Sequence, residues 1–265
     1  MIPKKIHYCW FGGKPLPELA IKCIASWKKF CPDYEIIEWS ENNFNVQCCD
    51  YVKEAFQQKK WAFITDYVRL KVLTEYGGIY MDTDVELIQP LDSFLKEKAF
   101  SGFETPDAIP TGIMACEKDF PLFKEMVFEY EKRHFIRSDG SLDGMTNVIY
   151  ITDVCLKKGL KLNNSYQIIE GFALYPKEYF CPKSYLTKEI HCTEHTHAIH
   201  HFSASWRTEK QNQWFDFEAK IAKKLGEERA VVLFRIGLWR LARSLYSFGF
   251  YEMIKKINRM IRREI

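Results

Sequence analysis

Residues 61–86 read WAFITDYVRLKVLTEYGGIYMDTDVE. The first part predicts a helix over Trp61–Tyr76, because Ala62, Val68, Leu70, Val72 and Leu73 recur at the mixed three- and four-residue spacing of a largely buried helix. Gly77-Gly78 stops it, since a helix C-terminus commonly needs a residue that tolerates the left-handed conformation. Ile79-Tyr80-Met81 is then a short apolar strand that delivers Asp82-Thr83-Asp84 at its end. In extended backbone, residues two apart point to one side, so Asp82 and Asp84 project together and Thr83 faces away. Two adjacent carboxylates repel, so such a pair serves a cation or shares a proton. Oxygen ligands suit a hard divalent ion, Mn²⁺ or Mg²⁺, that can share its coordination with a diphosphate. An Asp-x-Asp alone is a weak signal; its placement after an apolar strand and a Gly-Gly helix stop strengthens it.

Thr65 to Glu86 resembles the signature of the DXD-containing sugar transferases of glycosyltransferase family 32 and, more distantly, the glucosyltransferase domain of the large clostridial toxins. The resemblance covers roughly the first 120 residues and returns near position 200. It implies a GT-A type nucleotide-sugar-binding α/β fold with a mixed, mostly parallel central sheet. In those families an Asp and an Arg three residues later precede the DXD strand; here they are Asp66 and Arg69, on one helix face.

Around that centre, strands and helices alternate, as expected of a parallel sheet flanked by helices. Ile2–Trp10 is expected as a strand, Leu16–Phe30 as a helix and Tyr34–Trp39 as a second strand. Ligands of such folds sit at the carboxyl ends of the strands, which places Tyr8, Trp10 and Gly12 at a donor site. The resemblance implies that the turn at Trp10 and Gly12 holds the donor base. His7 is read as a satisfied strand residue. Ala99–Glu104 and Ile109–Ala115 are two further expected strands; Gly112 marks a close backbone approach and Glu104 is placed to face the site. Helices are expected over Phe120–Arg133 and Met145–Lys158. The resemblance implies a turn in this region contacting the acceptor or the donor sugar, for which Asp143, Thr146 and Asn147 are the candidates although the usual Thr-Gly-Pro is missing. Plain surface polar residues are the alternative reading of these three. Ala198–Arg207 (AIHHFSASWR) reads as a strand and turn. By resemblance, His201 completes the metal site with Asp82 and Asp84, while Ser205 and Trp206 belong to a loop closing over the donor; His200 is expected to pack on the opposite face. Zinc is a rival reading of His191, Cys192, His195, His197, His200 and His201, without a clear ligand spacing.

The chain of 265 residues, 47% hydrophobic and 28% charged, is globular in composition and long enough for one large domain, expected over 1–210. A net charge of +3 gives no reason to expect nucleic acid. Ile2-Pro3-Lys4-Lys5-Ile6 leads straight into the first strand, which predicts no secretory leader, and nine cysteines without a C-x-x-C pair suit a reducing cytoplasm. No apolar run reaches the ~20 residues of a membrane span. A helical extension is expected over 211–265. Residues 229–265 hold nine Lys or Arg against two Glu, so a basic amphipathic surface there is expected to meet an anionic membrane at its cytoplasmic face.

The expected activity is metal-dependent, retaining transfer of a sugar from a UDP-sugar, less readily a GDP-sugar, to a glycan or lipid-linked acceptor in surface or capsular polysaccharide synthesis. Asp82, Asp84, Arg69 and Asp66 are the expected catalytic group. A toxin- or effector-like protein glycosyltransferase shares this site and differs in acceptor; a non-catalytic sugar- or lipid-binding module is the alternative from another class.

Overall fold

The computed structural model describes residues 1–105, 107–109, 112–204, 208–226, 229–230 and 233–234. They divide into two compact units, 1–183 with 191–203, and 184–190 with 204 onward.

The first unit is built on a seven-stranded sheet. Its strands are β1 (Lys5–Cys9), β2 (Glu35–Trp39), β3 (Gly78–Met81), β5 (Ala99–Gly102), β6 (Ile113–Cys116), β7 (Gln167–Ile169) and β8 (Phe172–Tyr175), in the order β2-β1-β3-β6-β5-β8-β7. β1 is parallel to β2 and β3, and β5 to β8, while β6 and β7 run against their neighbours. Five strands therefore share one direction, which is the mixed, mostly parallel sheet expected of a GT-A type fold. A second, two-stranded sheet pairs β4 (Val85–Leu87) antiparallel with β9 (Ala198–His200).

Strand alternation divides the core between the sheet's two faces. Ile79 and Met81 of β3, with Ile113 and Ala115 of β6, face a cluster built on Cys23 and Trp27 of α1 (Glu18–Phe30). Tyr80, Met114 and Cys116 face the larger cluster. That cluster is filled by α2 (Asp50–Gln57), α3 (Trp61–Tyr76), α4 (Pro121–Glu131) and α5 (Asn147–Lys157). The central helix α3 has the bounds its sequence predicts, and every residue of 66–70 and 72–74 is buried. Its stop is as expected: Gly77 adopts φ +64° and donates to the Leu73 carbonyl at 2.9 Å. A Cβ on Gly77 would lie 2.7 Å from the Lys118 amide nitrogen, so only glycine fits there. α1 braces the chain after the aspartate pair, with Trp27 Nε1 donating to the Val85 carbonyl (2.7 Å) and Ser26 Oγ accepting from Leu87 N (2.9 Å).

His7 is buried and satisfied, as its strand position suggests. Trp39 Nε1 donates to His7 Nδ1 (3.1 Å), which fixes the tautomer with hydrogen on Nε2, donated to the Gly77 carbonyl (2.9 Å). All nine cysteines are free.

In the second unit, α6 (Glu209–Leu225) starts with a reciprocal cap: Thr208 Oγ1 accepts from Gln211 N, and Gln211 Oε1 from Thr208 N. Tyr185 packs edge-on against Phe215 at 5.6 Å. No helix among the described residues is long and apolar enough to cross a membrane. Most of the expected basic surface over 229–265, and the calls on Ser205 and Trp206, lie outside the described residues.

Candidate functional site

The sheet carries Asp82 to the end of β3, where its amide donates to the Gly112 carbonyl at 2.8 Å. The backbone then departs from the expected extension. Val85 N donates to the Asp82 carbonyl (3.0 Å), so Asp82-Thr83-Asp84 lies on a tight turn between β3 and β4. The two carboxylates converge by way of that turn, not by strand alternation.

The histidine beside them is His200. One ligand atom from each of Asp82, Asp84 and His200 lies within 4.8 Å of the others. This corrects the assignment of His201 to the site and of His200 to packing. Along β9, Ile199 and His201 share a face, and Ile199 stands opposite Glu86, so His201 Nε2 meets Glu86 Oε2 at 2.8 Å. Asp84, displaced onto the turn, meets the other face, where His200 Nε2 is 3.4 Å from its Oδ1. Gly112 explains how the imidazole fits: a Cβ there would be 3.0–3.3 Å from the His200 ring. The close approach expected at Gly112 is thus to His200. The imidazole also packs against Phe202, ring centres 4.3 Å apart. Phe202 (φ 55°) and Ala204 (φ 46°) hold left-handed conformations that are uncommon for side-chain-bearing residues. The strained segment turns Ser203 N onto Asp84 Oδ2 at 2.7 Å.

Arg69 links the turn to α3. Its Nη2 is 3.1 Å from Asp82 Oδ1 and 3.5 Å from Asp66 Oδ1, and its guanidinium lies 4.6 Å over the Tyr80 ring. Tyr80 also donates its hydroxyl to Asp82 Oδ1 at 2.9 Å. Asp66 is held from the other side by Asn147, whose amide donates to Asp66 Oδ2 (3.2 Å) and whose Nδ2 donates to the Asp66 carbonyl (2.7 Å). Tyr130 OH donates to Asn147 Oδ1 at 2.6 Å. Asn147 is therefore a buried member of this network and not a surface polar residue. Asp143 is buried as well, between Arg133 and Arg137.

The electrostatics follow from burial in competition with these pairs. Burial pushes the Asp66 carboxyl up to about 7 against the pull of Arg69. Burial also raises Asp82, again opposed by Arg69. For Asp84 burial is outweighed by His200 and by the Ser203 amide, and its carboxyl is held well below the usual range. His200 is raised well above its ordinary value because Asp84 outweighs burial. Burial raises half-buried Glu104, with His200 opposing the rise and Asp82 and Asp84 adding to it.

The three expected donor residues near β1 are differently engaged. Tyr8 is buried, donates to Glu38 Oε2 and packs edge-on against Trp27. Trp10 is half-buried and donates from Nε1 to the Lys14 carbonyl. A Cβ on Gly12 would meet the Trp61 indole at 2.8 Å, so Gly12 makes room for Trp61. Of the zinc candidates, His200 is the one placed in a ligand cluster among the described residues; His195 stacks on Tyr179 and His197 Nδ1 contacts the Pro90 carbonyl.

Tyr80 was legible in principle, because strand alternation puts it on the side of Asp82. Asn147 was a candidate by resemblance alone; its contact with Asp66 depends on α5 meeting α3 across 81 residues of chain.

A buried strand ending in an aspartate pair beside a histidine, with an Asp–Arg helix face behind it, defines a DXD-type α/β protein. Residues 17–101 match the family described as glycosyltransferase sugar-binding region containing DXD motif. It is 30% identical over 130 residues to inositol phosphoceramide mannosyltransferase 3 of Schizosaccharomyces pombe, covering 48% of this chain and 36% of that protein. It is 26% identical over 185 residues to mannosyl phosphorylinositol ceramide synthase CSH1 of Saccharomyces cerevisiae, covering 68% of this chain and 49% of that protein. The chain thus spans half or less of the length of these curated relatives. Among solved structures, the galactosyltransferase LgtC in complex with donor and acceptor sugar analogues is similar over 84% of this chain and 96% of its own, with 14% identity and a TM-score of 0.43.

Proposed function

We propose that this chain is a metal-dependent, retaining glycosyltransferase that moves a sugar from a nucleoside diphosphate sugar to a hydroxyl of a glycan or lipid-linked acceptor. The observation that supports it is the convergence of Asp82, Asp84 and His200 beside Arg69 and Asp66, with both aspartates of the pair, Arg69 and Asp66 inside the family match and His200 brought to them from β9. Two carboxylates and an imidazole fit Mn²⁺ or Mg²⁺, and these three residues would hold it. Bound there, the ion supplies charge neutralisation for a departing diphosphate. Arg69 fixes the Asp82 carboxylate, and Asp66 accepts hydrogen bonds from sugar hydroxyls. In the front-face route, the bond from the anomeric carbon to the phosphate oxygen breaks as the bond to the acceptor oxygen forms on the same face. The acceptor proton passes to the leaving phosphate, so no protein base is required. Glu104 is the carboxylate a double-displacement route would use.

UDP-sugars lead as donors, with GDP-mannose beside them because two relatives are named for mannosyl transfer. Those names also favour a phosphorylated lipid acceptor, which suits work at the cytoplasmic face of a membrane in surface polysaccharide synthesis. The test is nucleotide release from a panel of UDP- and GDP-sugars with Mn²⁺, with and without lipid-linked acceptors. Slow release from one donor that disappears in Asp84→Asn supports the reading. Release from no donor would remove it.

A further inference from the structure

Lys183 is a half-buried cation beside the aspartate turn whose position neither Arg69 nor the ligand cluster explains. We propose that Lys183 binds the diphosphate of the donor, adding a fixed positive charge beside the Asp82–Asp84–His200 cluster. This rests on the nucleoside diphosphate donor proposed above.

Lys183 follows the 3-10 turn Lys177–Tyr179, on the chain between β8 and β9. It is half-buried, and its Nζ donates to the His201 carbonyl at 2.8 Å. His201 N in turn donates to the Asp84 carbonyl (2.9 Å), and Ser203 N to the Asp84 carboxylate (2.7 Å). The ammonium is thus tied to the same 201–203 segment that wraps Asp84.

Three other cations near the turn are committed. Arg69 lies between Asp66 and Asp82, His200 faces Asp84, and Lys22 pairs with Glu86 at 3.1 Å. Lys183 has a neutral carbonyl as its hydrogen-bond partner and, among the described residues, no carboxylate within ion-pair distance. Holding an ammonium partly out of water without a counter-charge is costly. Burial accordingly lowers its pKa, and the field of Asp84 partly restores it. One of its three N–H groups is used, and two remain for phosphate oxygens. Lysine is a common phosphate ligand for this reason: a compact charge with several donors. Charge balance points the same way. The two aspartates and a divalent ion cancel, so a diphosphate arriving there requires additional positive charge that Arg69, held by its own carboxylates, does not freely supply.

Lys183→Gln keeps a donor for the His201 carbonyl and removes the charge; Lys183→Arg keeps the charge. Titration calorimetry with Mn²⁺ would measure UDP and GDP binding, with uridine and guanosine as uncharged controls. Lys183→Gln is expected to weaken binding of the nucleoside diphosphate by about tenfold or more. It should also flatten the salt dependence and leave nucleoside binding unchanged. Lys183→Arg should stay close to wild type. Should Lys183→Gln fail to fold, Lys183→Met replaces it with the same expectation. Equal diphosphate affinity in wild type and the neutral variant would overturn the role of Lys183 alone. Wild type that binds neither diphosphate would overturn the donor reading and this role together.

Discussion

Arg69 answers buried Asp66 and half-buried Asp82 at once, and this makes it the most vulnerable single residue of the site. Removing it leaves Asp66 and Asp82 without their counter-charge. Breaking a buried pair on one side costs about 3–5 kcal/mol. Arg69→Ala is therefore expected to lose stability on that scale in urea unfolding, as well as nucleotide release; a loss under about 1 kcal/mol would contradict the geometry. His7 gives a pH test. Burial lowers its pKa below the ordinary 6.5, so the neutral ring's stabilisation is complete above that value and is lost as pH falls toward the folded value. His7→Phe strands the Gly77 carbonyl and the Trp39 indole N–H, at about 1–3 kcal/mol near neutral pH. The gap between wild type and variant should narrow between about pH 7.5 and about pH 5; a constant gap would rule out the neutral-histidine account. Asp82 and Asp84 were legible as a carboxylate pair closing an apolar strand, while Asp66 and Arg69 were singled out through the family resemblance. The choice between His200 and His201 was not, because the Asp84 turn, invisible to strand periodicity, decides which face meets the aspartates.

At the scale of elements, the site is the meeting of the β3 end, the first residue before β6 and the end of β9. Gly112 is the joint. Its carbonyl holds Asp82 N, and its missing side chain admits the His200 ring. Gly112→Ala places a methyl 3.0–3.3 Å from that ring, so His200 must shift. Loss of outer support for a metal ligand commonly costs 10–100-fold in affinity. Mn²⁺ affinity should fall by about tenfold or more while the melting temperature changes little, and unchanged affinity would show that His200 is not positioned through Gly112. The central helix was readable to the residue because its buried run and Gly-Gly stop are both local signals. β7 and β8 escaped: β7 is three residues long, and β8 is recognisable through its parallel pairing with β5, more than 70 residues away.

For the whole molecule, the sheet's two faces each carry a core, and the alternation along β3 and β6 assigns residues to them. That division was implicit in the α/β alternation of the sequence; the antiparallel insertion of β6 between β3 and β5 was not, because strand direction depends on long-range connection. The membrane proposal belongs to this scale too. Its motivation is the basic surplus over 229–265. Cosedimentation of the full chain with vesicles should show binding to anionic lipid that falls with salt; equal binding to neutral vesicles would contradict it.

The measurement that bears most directly on the site is Mn²⁺ binding, followed by electron paramagnetic resonance, in wild type, Asp84→Asn, His200→Gln and His201→Gln. The account predicts that wild type and His201→Gln bind, because His201 faces Glu86, and that Asp84→Asn and His200→Gln lose the ion. Loss in His201→Gln with retention in His200→Gln, or no binding by wild type, would contradict it.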